Sequence, residues 1–190
     1  VESMGVDKFS AAAKVAGADG VLVVDYPPEE AERLVATLDA AGLDTIFLLS
    51  PTTSDARLKQ VAALGRGYLY YVSLKGITGA ANIDVADVTQ RIAHIRSFTK
   101  LPLGVGFGIR DGETARVIAG IADAVVIGSR LVQEIESAPL EAPARAGAFL
   151  AGIRAAMNRD TSGRPPGGLP PGRPPGGLPP GRPPGGLPPG

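Results

Sequence analysis

The chain has 190 residues, with 26 glycines, 18 prolines, one histidine, no cysteine, no tryptophan, and 19 basic against 19 acidic side chains. No basic excess or basic–aromatic cluster marks a nucleic-acid surface, no apolar run approaches the roughly 18 residues that span a bilayer, and the missing cysteines exclude disulfide frameworks and thiolate metal sites. The zero net charge joins two unlike parts: residues 163–190 hold 12 prolines, 10 glycines and three arginines (Arg164, Arg173, Arg182), leaving a body with 16 basic and 19 acidic residues.

The chain opens Val1-Glu2-Ser3-Met4-Gly5, without the charged region and apolar core of a signal peptide. A cytoplasmic setting is therefore expected, and the initial valine points to a start further upstream. Residues 6–16 have helical period and precede a first strand at 21–24. Pro27-Pro28 and Glu29-Glu30 then open a helix over 28–41, with Ala31, Leu34, Val35 and Leu38 on one face. Proline loses no hydrogen bond in a first turn, and carboxylates meet the positive end of the helix there. A strand at 45–49 and a helix at 54–64 follow, with Ser54 as N-cap and Gly42 and Gly65 placed for left-handed C-caps. The third strand covers 68–72. Asp84 caps a helix over 85–98 that turns Val85, Val88, Ile92 and Ile95 inward. A strand at 103–107, a helix at 112–121, a strand at 124–127 and helices at 130–136 and 144–157 complete the body.

The strand segments are continuously apolar, as in sheets covered on both faces. Their alternation with helices makes βαβ units and a parallel sheet. A dinucleotide fingerprint would need G-x-G-x-x-G after a strand, but Gly104-Val105-Gly106-Phe107-Gly108-Ile109 lacks the last glycine and sits within the strand. A (β/α)8 barrel takes about 250 residues, so five units need roughly 156. The body over residues 1–160 is thus expected to be an α/β partial (β/α)8 TIM barrel with five parallel strands.

Three strands end in glycine-rich turns: Lys75-Gly76-Ile77-Thr78-Gly79-Ala80, Gly106-Phe107-Gly108-Ile109-Arg110 and Ile127-Gly128-Ser129-Arg130. Glycine lets a phosphate oxygen reach bare N–H groups, and Gly128-Ser129 opens a helix whose free N–H groups and dipole favour an anion. Three such turns on consecutive strands point to a phosphate site. His94 lies within a helix, away from any strand end, and is not placed to act as a general base.

The segments Glu2–Phe9, Gly17–Pro27, Gly67-Tyr68-Leu69-Tyr70-Tyr71-Val72-Ser73, Gly76-Ile77-Thr78-Gly79-Ala80, Gly104–Ile109 and Gly128-Ser129 resemble, in order and spacing, the tryptophan synthase alpha subunit. The resemblance covers residues 1 to about 160, and the run G-Y-x-Y-x-V-S…G-x-T-G-A is its most specific part. It implies a (β/α)8 barrel that cleaves indole-3-glycerol phosphate to indole and glyceraldehyde 3-phosphate, a lyase of tryptophan biosynthesis. It implies phosphate contacts from Gly79, Gly108, Gly128 and Ser129, an indole pocket of Leu22, Val24, Tyr70, Phe107 and Val126, and Thr78 in a loop that closes the site. It also implies a beta subunit as partner, which holds the pyridoxal phosphate; no cofactor is expected in this chain. The residues leave rivals open: Leu22, Val24 and Val126 also suit plain barrel core, Ser129 also suits an N-cap, and Asp25 suits a cap or turn as well as a substrate contact. Lys75 and Arg110 read as rim residues.

In that family a glutamate on the second strand and an aspartate in the loop after it supply the proton chemistry. No carboxylate of residues 1–162 stands in an equivalent motif, and the five strands resemble the fourth to eighth of the barrel, without the first three. The chain alone is expected to be catalytically inactive, with long apolar strand edges that invite aggregation. Residues 161–190 form a separate tail in which a nine-residue repeat, Gly163–Pro171, recurs from Gly172 and Gly181. Its glycine spacing breaks the collagen rule, so disorder with a polyproline II bias is expected. Its P-x-x-P sites at 171–174 and 180–183 have the form of an SH3-type ligand, but a perfect tandem repeat is more simply read as an artefact of a repetitive or misassembled coding sequence. Two other readings of the chain stand beside the family one. One is another phosphate-binding barrel, akin to ribulose-phosphate epimerases or thiamin phosphate synthases; the other is a non-catalytic phosphate-binding or interaction module.

Overall fold

Among the described residues the alternation of apolar runs and amphipathic stretches resolves into five strands and seven α-helices. The computed structural model describes residues 1, 3–24, 28–73, 84–106 and 108–159. In chain order they are α1 (Val6–Val15), β1 (Gly20–Leu22), α2 (Pro28–Ala40), β2 (Asp44–Leu49), α3 (Asp55–Leu64), β3 (Leu69–Val72), α4 (Val85–Arg96), β4 (Leu103–Gly106), α5 (Gly112–Ala119), β5 (Ala124–Val126), α6 (Ser129–Ser137), a 3-10 turn (Pro139–Glu141) and α7 (Ala142–Asn158). The repeat tail, the P-x-x-P sites and the calls on Asp25, Lys75, Thr78, Gly79 and Phe107 lie outside the described residues.

The strands are all parallel and stand in the order β1-β2-β3-β4-β5. A doubly wound sheet reverses its order at a switch point; this one never does. Sequential order without reversal is the arrangement of a (β/α)8 barrel, and the sheet is an arc of one.

Side chains alternate between two faces of the strands, and the faces differ. One is packed by helices. Phe47 and Leu49 of β2, Leu69 and Tyr71 of β3, and Leu103 and Val105 of β4 bury against Ala31, Val35, Leu58, Val61, Val88, Ile92, Ile95, Ala115 and Ile118. A smaller cluster of Leu34, Leu38 and Leu43, joined by Val6, Val21 and Val23, seats α1 and α2 on β1. The opposite face carries Leu22, Ile46, Leu48, Tyr70 and Val126, all half-buried. The continuous apolar runs therefore do not mean equal cover on both faces: helices pack on one only.

Local chemistry sets the helix starts. Ser54 Oγ accepts from the Arg57 N–H at 3.3 Å, Asp84 Oδ1 from Asp87 at 3.0 Å and Asp111 Oδ1 from Thr114 at 2.8 Å. The α2 helix begins at Pro28, as a proline in the first turn allows. Gly42 takes the expected left-handed conformation, φ +70°. Gly65 does not: its φ of −63° and ψ of 149° are extended. It is glycine because an added Cβ would sit 2.8 Å from the Val61 carbonyl and 3.0 Å from Leu69 Cδ2. Close approach, not handedness, excludes a side chain there.

Asp111 offers a test of the capping account. The backbone hydrogen bond from Thr114, helped by the Thr114 hydroxyl, holds its carboxyl below the ordinary value of 3.8. Asp111→Ala should lower stability by about 0.5–2 kcal/mol at neutral pH, the usual cost of a lost N-cap. A carboxyl with a depressed folded pKa stabilises above its unfolded pKa and stops doing so as pH falls through the folded one. Urea melts of the two proteins should differ at pH 7 and converge in acid; a gap that persists below the lowered pKa would refute the assignment.

Candidate functional site

Parallel strands bring their C-terminal ends, at Leu22, Leu49, Val72, Gly106 and Val126, to one rim, and α3 to α6 start there. Loops leaving that rim are where parallel barrels place their chemistry.

The strand register brings three sequence-predicted pocket residues onto one face. Leu22 is level with Ile46, Leu48 with Tyr70, Tyr70 with Gly104, and Gly106 with Val126. Leu22, Tyr70 and Val126 thus share the helix-free face, and none belongs to the helix-packed clusters. Val24 differs from the expectation. The first strand ends at Leu22, and Val24 sits in the following turn, 56% exposed. Phe107 falls outside the described residues.

Leu48 shares this face and was not among the sequence candidates. It is half-buried on the same face, level with Tyr70. Counting alternate positions along β2 separates it from Phe47 and Leu49, but the run of five apolar or β-branched residues, 45–49, gives no hint which parity faces the helices.

Tyr70 shapes this face most. Its ring lies across β4, where an added Cβ on Gly106 would overlap the Tyr70 hydroxyl and stand 2.7 Å from Cε2. A Cβ on Gly104 would stand 3.3 Å from Tyr68 Cε2. The two β4 glycines make room for the β3 tyrosines. Burial pushes the Tyr70 phenol above its ordinary value of 10.0, with a further push from Tyr68. It stays a neutral, amphipathic ring at ordinary pH.

The rim also has a place suited to an anion. Gly108 holds a φ of +75°, a turn only glycine adopts freely. The helices after β2, β3 and β4 each have a side-chain cap, at Ser54, Asp84 and Asp111. The α6 helix after β5 has none. Its N-cap is Gly128, with no side-chain cap hydrogen bond and no heavy atom within 4 Å of where a Cβ would stand. Ser129 is the first helical residue, so the rival reading of it as N-cap is corrected. Its position follows from Gly128 taking a backbone conformation of φ −116° and ψ −83° outside the helix. An uncapped first turn presents free N–H groups and the positive end of the dipole.

Arg130, next along, is held away from that turn. It pairs with Glu134, which also accepts from Arg145 at 3.0 Å, and its guanidinium lies 5.7 Å from the Phe149 ring centroid. This network ties α6 to α7. Arg110 is exposed beyond β4, at the rim. His94 lies on the outer helix layer; its Nε2 donates to Asp55 Oδ1 at 2.8 Å and its ring meets Phe98 edge-on.

A second unit missed from sequence is the hydroxyl turn after β2. Thr53 Oγ1 accepts from the Ser50 N–H at 2.8 Å, and Ser50 Oγ meets Thr52 Oγ1 at 2.9 Å. Arg91 of α4 donates to the Thr53 carbonyl and ties this turn to the helix after β3.

A family model described as tryptophan synthase alpha chain matches residues 1–157. The tryptophan synthase alpha chain of Janthinobacterium sp. (strain Marseille) is 58% identical over 159 residues, and that of Laribacter hongkongensis is 60% identical over 158. Each alignment covers 83% of this chain and 60% of the relative. Among solved structures, tryptophan synthase subunit alpha from Legionella pneumophila str. Paris superposes with a TM-score of 0.73 at 37% identity, over 82% of this chain and 58% of that one. The A-subunit from the hyperthermophile Pyrococcus furiosus does so at 0.71 and 30%, over 81% and 62%. The chain spans about 60% of the length of the curated relatives it matches.

Proposed function

The chain belongs to the tryptophan synthase alpha chain family, and from that premise we propose that it carries the phosphate-binding and indole-pocket part of the lyase that cleaves indole-3-glycerol phosphate. The observation that carries the reading is the uncapped first turn of α6 beside an apolar, half-open face on the same sheet. Gly128, Ser129 and Gly108 would donate to the phosphate, with Gly79 completing the set. Leu22, Leu48, Tyr70 and Val126 would hold the indole ring, with Val24 and Phe107 at the strand ends and Thr78 in the closing loop.

The reaction is a retro-aldol cleavage. A proton is delivered to C3 of the indole ring, the bond from C3 to the glycerol carbon breaks, and its electron pair returns to the ring. The hydroxyl on that carbon loses its proton and becomes the aldehyde of glyceraldehyde 3-phosphate. These transfers need a positioned acid and base, which in the family are a glutamate and an aspartate outside this chain's matching motifs. A beta subunit that binds pyridoxal phosphate and takes up the indole is part of the same reading, as is a cytoplasmic setting. Among the described residues no helix is long and apolar enough to cross a membrane.

A second reading, a non-catalytic phosphate-binding module, draws support from the described carboxylates at the rim. Asp84 and Asp111 cap helices and Asp55 pairs with His94. Both readings share the anion site, and one substitution tests it. Ser129→Asp puts a carboxylate in the first turn of α6, which favours the helix while repelling a phosphate. Calorimetric titration with indole-3-glycerol phosphate should show affinity weakened about tenfold or more, some 1.4 kcal/mol. Unchanged affinity would remove the phosphate site from α6.

A further inference from the structure

Three buried side-chain polar atoms have no hydrogen-bond partner among the described residues: Thr45 Oγ1, Tyr71 Oη and Arg91 Nε. Folded proteins satisfy nearly all such atoms, with protein groups or ordered water, because a bare one costs its full desolvation. Thr45 lies near the start of β2, at the far end from the rim. Tyr71 and Arg91 share one region, on the helix-packed side of the sheet close behind the rim. Tyr71 is fully buried there on β3. Arg91 stands on α4, the helix after β3, and its Nη2 donates to the Thr53 carbonyl in the turn after β2. Because β3 lies between β2 and β4, this side chain passes β3 on the side that Tyr71 faces. Asp87, also half-buried, precedes Arg91 by one turn on the same helix face. Burial holds the Tyr71 phenol above its ordinary value of 10.0; Asp87 pushes it further up and Arg91 draws it down. Both charges are therefore near the phenol.

We propose that Tyr71 Oη and Arg91 Nε line an internal site for one water molecule, which bridges β3 to α4 beneath the turn at 50–53. The hydrogen-bonding inventory selects the occupant. An arginine Nε–H only donates, whereas a phenol hydroxyl both donates and accepts. The bridging molecule must therefore accept from Arg91 and meet a hydroxyl of either sense. A small anion would accept from both, but it would face the Asp87 carboxylate. A cation would face the Arg91 guanidinium. With one charge of each sign beside the site, a neutral molecule that both donates and accepts is favoured, and water is the smallest. A buried water makes about two to four hydrogen bonds, so Tyr71 and Arg91 supply the minimum. The bridge also steadies the guanidinium that holds the Thr53 carbonyl, and through it the turn after β2. The site lies on the opposite face of β3 from Tyr70, so it is independent of the lyase reading.

Tyr71→Phe tests the site because it keeps the ring and deletes only the hydroxyl. Where a water bridges, the variant breaks a buried bond, and its unfolding constant in urea should rise about three- to tenfold. An orphaned hydroxyl behaves in the opposite way: its loss removes a desolvation cost, and an unchanged or lower unfolding constant would overturn the proposal. In an Arg91→Met background the same substitution should change the constant by less than about twofold, since a water that has lost one anchor holds the other weakly. An undiminished effect would place the partner of Tyr71 elsewhere and overturn the bridge. A crystal structure of the 190-residue chain distinguishes water from direct contact. One density peak should stand within about 3.2 Å of both Tyr71 Oη and Arg91 Nε. A direct bond between those two atoms, or no peak beside them, would overturn the proposal whichever way the melts fall.

Discussion

Incubated with indole-3-glycerol phosphate, the purified 190-residue chain should release no indole above the uncatalysed background. The phosphate and the ring have candidate partners at the rim, whereas the family's glutamate and aspartate have no counterpart in the matching motifs of this chain. A positioned acid or base is worth about 10²–10⁴-fold, and the cleavage needs one of each. Loss of both should leave a rate at least about 10⁴-fold below that of a complete relative. Three of the described carboxylates near the strand-end rim are committed: Asp111 Oδ1 and Asp84 Oδ1 accept backbone N–H bonds, and Asp55 is bound by His94. A carboxylate that caps a helix has its acceptor oxygen aimed at the backbone and its pKa drawn down, as at Asp111, which is the wrong direction for a general acid. The check is an indole assay on the isolated chain, with a complete relative as the positive control. Steady, enzyme-dependent release would show that residues of this chain supply the chemistry.

Leu103→Ala should cost about 2–5 kcal/mol, while Leu48→Ala should cost less than about 1.5 kcal/mol. Both residues are leucines on inner strands of one sheet, and both substitutions delete the same atoms. Leu103 is fully buried on the helix-packed face of β4, within the main cluster. Emptying such a site costs the transfer of the lost methyl and methylene groups plus the cavity left behind. Leu48 is half-buried on the open face of β2, where water can follow the shortened side chain and little cavity remains. Small domains have about 5–15 kcal/mol to lose, so Leu103→Ala should shift the urea midpoint sharply or abolish the transition. Leu48→Ala should leave it nearly in place. Equal losses at the two positions would mean that the two faces are equally covered, contrary to the packing described above.

Much of the fold could be read from residue pattern. The apolar period placed each strand and helix within a few residues. Ser54 and Asp84 were recognisable as caps because a short polar side chain before an amphipathic run has one common use. Five units at barrel spacing pointed to a parallel arc, and the strand order agrees. The site was legible in outline only. Leu22, Tyr70 and Val126 came from a family resemblance, and the register places them on a common face. Leu48 escaped notice because an unbroken apolar strand does not declare which of its faces is covered. Gly65 was misjudged, and the ring that Gly106 makes room for went unseen, for a related reason. A glycine in sequence signals that something needs room, but not whether the need is a positive φ, an anion or a neighbouring ring.

By itself the sequence determined the element order, the caps at Ser54 and Asp84, the parallel class and the division into a −3 body and a basic repeat tail. These depend on local chemistry and on period, which adjacent residues encode. Tertiary structure alone decided which strand face the helices cover and why β4 carries glycine at 104 and 106. It also decided that α6, of the helices after β2 to β5, begins without a side-chain cap. The first two rest on contacts between segments distant in the chain: Phe47 and Leu103 against the helix residues of the main core, Tyr70 over Gly106 and Tyr68 over Gly104. Packing at near-solid density makes such contacts mutually exclusive, so the space one side chain takes is settled only when the others are in place.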